Sequence, residues 1–218
     1  MSLIVKDQEM IKLKEFIEKK EWSKAELHLI KLNQAENIHL YNKGYLEYEQ
    51  GNYVQSKYFI EKSIYSGLIS DEASSALKLV RQKLNIVEVE ESLDFYDELH
   101  LSTLSLPCAV LPTLIVISLI GLVVSLYKRT VFFILLFSFI GIGFSYGYYN
   151  LKKYDLFLSA EDQSVYLGPS KIFEQLRVLP QGLKYSVSKE VKNWQFVHSP
   201  KEFQVWIYKN KAIKYELP

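Results

Sequence analysis

The chain of 218 residues predicts a multidomain membrane protein with three kinds of structure in order: all-α helical repeats, a two-helix transmembrane hairpin and a small all-β barrel. Three observations lead there. Apolar residues recur at three- and four-residue steps up to Leu84. No charged residue occurs from Leu101 to Tyr127, nor from Thr130 to Leu151. After Lys152 and Lys153 the pattern changes to period two. The expected divisions are 1–85 helical domain, 86–100 acidic linker, 101–151 hairpin and 152–218 β domain.

The stretch EMIKLKEFIEKKEWSKAELHLIKLNQ places Met10, Leu13, Ile17 and then Ala25, Leu29 and Leu32 on helical faces, with Lys19, Lys20 and Glu21 between. That is helix, turn, helix. The pattern recurs in YNKGYLEYEQGNYVQSKYFIEKSI, where superposing Trp22 on Tyr53 aligns Ala25 with Ser56 and Leu29 with Ile60, a shift of 31 residues. Gly44, Gly51-x-Tyr53, Ser56 and Ser63 resemble the tetratricopeptide (TPR) repeat. In that family glycine stands where paired helices approach, and small residues where the second helix packs back. Residues 37–68 carry the match; in the first copy, 6–36, Leu13 and Lys20 replace both glycines. Ser70 is the expected N-cap of a further helix, with Asp71 and Glu72 in its first turn. So short an array needs a partner or the membrane for stability.

The resemblance implies that the first helix of a pair meets ligands on a concave face. Tyr41, Tyr45 and Tyr48 form an i, i+4, i+7 stripe on that helix, with Asn42 beside them. Either they form a peptide-binding face or they pack on neighbouring helices. The acidic linker IVEVEESLDFYDELH holds no Lys or Arg, and its Glu88, Glu90, Glu91, Asp94, Asp97 and Glu98 lack the glycine turn of a calcium loop. A solvated acidic face is expected.

Each charge-free run reaches the roughly 20 residues needed to span a bilayer, with Lys128 and Arg129 at the turn between them. Pro107 and Pro112 fall near the start of the first helix. Gly121 with Ser125, and Gly143 with Gly147, are small-xxx-small pairs expected to bring the helices together. Neither span holds an ionisable residue, which excludes a proton relay. Tyr146, Tyr148, Tyr149 and Tyr154 form an expected interfacial belt.

In the last part, QSVYLGPS, LRVLPQGLKYSVSKEV, WQFVHS and FQVWIYKNKAIKYEL are short β-rich runs, about five strands, separated by turn residues. Gly168-Pro169-Ser170, Leu179-Pro180-x-Gly182 and Trp194 resemble a bacterial SH3-like domain, although the chain has Gln204-Val205-Trp206-Ile207 where that family has Gly-Trp-Val, so the glycine is missing. Tyr166, Trp194 and Trp206 are candidates for an aromatic peptide groove, at least one of them structural.

Charge is nearly balanced, 26 Lys+Arg against 25 Asp+Glu, so no nucleic-acid partner is expected. Cys108 is the only cysteine, which excludes an intramolecular disulfide and every multi-cysteine metal site. His28, His39, His100 and His198 are scattered, and no serine or cysteine lies in a nucleophile motif. The chain is read as non-enzymatic, with no catalytic residue, metal or cofactor.

The order TPR, acidic linker, two transmembrane helices and SH3-like domain resembles the BatE proteins of bacterial Bat (aerotolerance) operons, which accompany a MoxR-type ATPase and von Willebrand A-domain membrane proteins. The resemblance implies a multi-pass inner-membrane scaffold or adaptor with those proteins as partners. The alternative is an envelope sensor whose SH3-like domain binds peptidoglycan or an extended peptide. Two spans put both soluble domains on one side. Lys6, Asp7 and Glu9 interrupt any export signal at the start, where the family generally has one. The cations of the loop and of Lys152-Lys153 tie the positive-inside count; the periplasmic side is the reading adopted.

Overall fold

The computed structural model describes residues 8–32, 34–106, 110–209 and 212–215. Lys6, Asp7, Pro107, Cys108 and Asn210, and the side chains of Glu9 and Met10, lie outside the described residues. Five helices come first: α1 (Gln8–Glu18), α2 (Trp22–Lys31), α3 (Glu36–Glu49), α4 (Tyr53–Tyr65) and α5 (Asp71–Lys83). The first two pairs close with one turn geometry. Glu21 N donates to Phe16 O at 2.8 Å and Asn52 N to Glu47 O at 2.9 Å, while Lys20 and Gly51 both take left-handed backbone, φ 56° and 84°. The repeat is therefore a property of the backbone, and Lys20 accepts a conformation that glycine adopts without strain.

Where α3 meets α4, a Cβ on Gly44 would stand 2.7 Å from Ile60 Cγ1, and Ser56 Oγ donates to Gly44 O at 2.7 Å. Helix α5 starts as expected, with Ala73 N donating to Ser70 Oγ at 3.1 Å. Leu13, Ile17, Ala25, Leu29 and Leu46 form one core, and Tyr41, Ile60, Ala76, Val80 and Ile86 the next.

The region expected as a solvated linker is folded. It forms α6 (Val87–Glu91) and α7 (Phe95–Leu104). Glu90 and Asp97 face protein rather than water, because cationic and hydroxyl partners wait for them on other elements. Leu101 and Leu104, read as the start of the first span, belong to α7 and are buried with Tyr58, Leu156, Leu158 and Tyr215.

The hairpin is α8 (Val110–Tyr127) and α9 (Val131–Lys153). Val110–Tyr127, 18 residues at mean hydropathy 2.4, and Val131–Asn150, 20 residues at 1.9, are long and apolar enough to cross a membrane. Ile120, Val123, Phe132, Phe139 and Ile142 are exposed, which a buried core helix would not show. Pro112 lies in the first turn of α8, where a missing N–H costs nothing.

Small residues do bring the helices together, but not all those expected. A Cβ on Gly121 would strike the Phe137 ring at 2.6 Å, whereas Ser125 Oγ donates back within its own helix to Gly121 O at 2.7 Å. At Gly147 a Cβ would lie 3.3 Å from Thr103 and 3.6 Å from Leu111. Gly143 meets nothing within 4 Å; the close approach is made instead by Gly141, 2.8 Å from Ser118 Oγ. Positions two apart lie on different sides of a helix, so spacing alone did not separate them.

Seven strands follow: β1 (Asp155–Ser159), β2 (Gln163–Tyr166), β3 (Gln175–Leu179), β4 (Lys184–Val191), β5 (Trp194–Ser199), β6 (Trp206–Tyr208) and β7 (Ala212–Lys214). They form one antiparallel sheet in the order β3-β2-β6-β5-β4-β1-β7. Val165, Leu183, Tyr185, Val197 and Ile207 fill its inner side. The expected count of about five is exceeded because β1 and the three-residue β7 add a pair beyond β4.

Candidate functional site

The helical array and the sheet are joined by a buried ionic cluster. Lys57 on α4 is wholly buried; its Nζ donates to Gly182 O at 2.7 Å and pairs with Glu90, which also pairs with Arg81. Glu61, one turn further, lies 3.8 Å from Lys57 and 3.2 Å from Lys184 of β4, and accepts the Tyr215 hydroxyl. Lys184 also donates to Tyr65 Oη at 2.5 Å.

Burial works to raise the Glu61 pKa, but Lys184, Lys57 and Tyr215 outweigh it and hold the carboxyl below its ordinary value. Burial works against the charge on Lys184, and Glu61 and Tyr65 overcome it and raise that pKa. A Cβ on Gly182, whose φ is +76°, would stand 2.6 Å from Leu84 Cδ1. Helix α4 and the end of α5 thus close on one turn of the sheet, and the helical array and the sheet form a single head.

The three aromatic residues expected as a groove do share one face of that head. Register pairs Tyr166 with Trp206, Phe196 with Trp206 and Trp194 with Tyr208, so all five side chains project to the outer side of β2, β6 and β5. Tyr166 and Tyr208 each meet Trp194 edge-on, at 5.5 and 5.4 Å between centroids, and Phe196 meets Trp206 at 5.4 Å. Trp194, 9 % exposed, is the packed centre, while Tyr166, Phe196, Trp206 and Tyr208 remain half-buried. Leu176 and Val178 continue the apolar surface onto the outer strand β3, both exposed. Phe196 and Tyr208 were missed, though each stands two residues from an identified tryptophan and alternation places it on the same face.

The tyrosine stripe on α3 is built into the core. Tyr41 and Asn42 are wholly buried, and Asn42 Nδ2 donates to Gln34 Oε1 at 3.1 Å. Burial pushes the Tyr41 hydroxyl up to about 12. Tyr45 is half-buried against Leu13 and its neighbours, and Tyr48 lies 5.5 Å from the Tyr53 ring. Tyr41 and Asn42 are therefore closed to a partner; at one turn per neighbour, the stripe joins adjacent helix pairs.

Two of the four histidines are not scattered. The His100 and His198 rings lie 5.3 Å apart, Tyr154 stacks on His198 at 4.3 Å, and His100 Nε2 is 3.1 Å from Ser186 Oγ. Tyr154 therefore packs in this cluster. Burial lowers both imidazoles, His100 to about 4. Ser186 is wholly buried, which keeps its hydroxyl from an incoming substrate. Asp97, also buried, accepts from Ser199 Oγ at 2.7 Å and Lys201 N at 3.0 Å. Among the described residues no group of three His, Cys, Asp or Glu side chains is placed to hold a metal ion.

In comparison with known proteins, no family model matches the chain, and neither a curated protein nor a solved structure matches it.

Proposed function

We propose that the chain is a non-enzymatic, membrane-anchored scaffold whose head holds protein partners, with α8 and α9 as the anchor in a bacterial inner membrane. The observation that carries this reading is the aromatic outer face of the head. Half-buried Tyr166, Phe196, Trp206 and Tyr208 around a packed Trp194 supply large, stiff contact area. The rigid joint at Lys57 supports the same reading, since a fixed head presents one geometry to its partners. Resemblance to TPR and SH3-like modules and to BatE proteins suggests von Willebrand A-domain membrane proteins and a MoxR-type ATPase as those partners.

The test is co-purification of those proteins with the full chain from membranes. Changing Trp206→Ala and Tyr208→Ala together should weaken capture about thirtyfold, the loss expected for a central aromatic anchor. Unchanged capture by a folded variant would reject the face as the docking site.

A second reading, an envelope sensor binding an extended peptide or peptidoglycan, is favoured by one observation: the outer strand β3 lies beside the aromatic strip with Leu176 and Val178 exposed, an arrangement suited to strand addition. Co-sedimentation of the detergent-solubilised full chain with cell-wall sacculi, abolished by changes in β3, would select it.

A further inference from the structure

Where the head meets the hairpin, a cavity of about 660 Å³ opens between α7, α9 and the end of β5. Its volume lies within the roughly 300–1,000 Å³ of small-molecule sites. The walls are of opposite character. Leu111, Phe139 and Phe144 make the hairpin side, and Asp97, His198 and Lys201 the head side. From Phe139 to Asn150 the lining helix rises about 16 Å, half of a ~30 Å hydrocarbon layer.

Gly143 faces the open space. A Cβ there would meet nothing within 4 Å, whereas Gly121, Gly141 and Gly147 each touch a neighbouring helix. Glycine at 143 thus contributes room and no packing. The polar end lies at headgroup level: Tyr146 and Tyr149 are exposed, Lys152 Nζ sits 4.7 Å over the Tyr148 ring, and Phe95, Tyr96 and Leu99 of α7 are exposed. One carboxylate and one ammonium line that end. Asp97 is fixed by Ser199 and Lys201 N, and the Lys201 ammonium, 2.8 Å from Asp94, is half exposed.

We propose that this cavity holds one zwitterionic aminophospholipid of the bilayer, its acyl chain along Phe139, Gly143 and Phe144, its ammonium toward Asp97 and its phosphate toward Lys201 and His198. The occupant follows from the walls. The apolar side is continuous with the exposed faces of α8 and α9, so the surrounding lipid reaches it without crossing water, and one carboxylate and one ammonium in the same lining match a head carrying both charges. His198 lines the same polar end and supplies a ring N–H toward the phosphate. The site rests on the membrane-anchored reading and adds to it a lipid that ties α7 and β5 to the hairpin.

The test uses the full chain reconstituted in vesicles of phosphatidylethanolamine with phosphatidylglycerol, containing a trace of phosphatidylethanolamine with a photoreactive acyl chain. Crosslinks mapped by mass spectrometry should concentrate on Phe139 to Phe144, and excess unlabelled phosphatidylethanolamine should displace them better than phosphatidylglycerol. Gly143→Phe should cut this crosslinking about tenfold while membrane recovery and helical circular dichroism stay unchanged. Crosslinks spread evenly around α8 and α9, equal or better displacement by phosphatidylglycerol, or full crosslinking in a folded Gly143→Phe variant would overturn the site. Displacement in the unaltered chain decides the matter should that variant misfold. A chain recovered without detergent in the soluble fraction would overturn the anchor itself, whereas an anchored chain without concentrated crosslinks overturns only the lipid site.

Discussion

Lys57 and Gly182 stand 125 residues apart in the chain, yet the lysine ammonium donates to the glycine carbonyl at 2.7 Å, with none of the lysine side chain exposed. A buried cation is tolerated only when paired, and here Glu90 and Glu61 balance it. The pairing turns two soluble regions, separated in sequence by two apolar helices, into one head.

Removing that ammonium leaves Glu90 paired with Arg81, and Glu61 with Lys184 and the Tyr215 hydroxyl, each carboxylate short of one cation. Lys57→Ala should cost about 3–5 kcal/mol, the range for breaking a buried ion pair. In denaturant unfolding of the full chain in detergent, followed by tryptophan fluorescence, the single transition should move to lower denaturant or split in two. An unchanged midpoint would show that apolar contacts alone hold the joint.

His100 provides a pH dependence. Its folded pKa is held near 4 by burial and by neighbouring His198, against 6.5 for an ordinary imidazole. The unfolded chain therefore binds more protons between those values, and stability should fall as pH drops from about 6.5 toward about 4. His198, also lowered, acts in the same direction. His100→Gln should flatten that part of the profile measured by thermal unfolding; an identical slope would place the titrating group elsewhere.

Tyr185 gives a test inside the sheet. Its hydroxyl is buried among Phe157, Val187 and Val197 and has no hydrogen-bond partner among the described residues. Tyr185→Phe removes an unsatisfied polar group and keeps the ring, so it should be neutral or stabilising by about 1 kcal/mol. A loss of 1 kcal/mol or more in the same unfolding measurement would reveal a partner for that hydroxyl.

What was legible in the sequence was what local spacing encodes. The helix pairs were readable because Gly51 and Ser70 act within their own turns and Gly44 and Ser56 meet across one short helical hairpin, 12 residues apart. The hairpin was readable from charge-free runs, although length alone drew Leu101 and Leu104 into it; burial against Leu156 and Leu158 assigns them to α7. Tyr166, Trp194 and Trp206 came together as strand alternation predicts. The ionic cluster was not legible. Its contacts join residues 33, 125 and 154 positions apart, and an acidic run looks the same whether its partners are water or a distant lysine. The tyrosine stripe had the right spacing for a face, but spacing does not say whether the face meets a ligand or the next helix pair.

The central claim is a single head anchored by a hairpin, and site-specific labelling tests it most directly. In a variant lacking Cys108, single cysteines at exposed Lys24, Lys189 and Lys128 are probed with a membrane-impermeant reagent on intact and on opened cells. Lys24 and Lys189, in the two parts of the head, should label from the same side, and Lys128, at the hairpin turn, only from the other. Labelling of Lys24 and Lys189 from opposite sides would contradict the account, because the Lys57 to Gly182 contact cannot form across a bilayer.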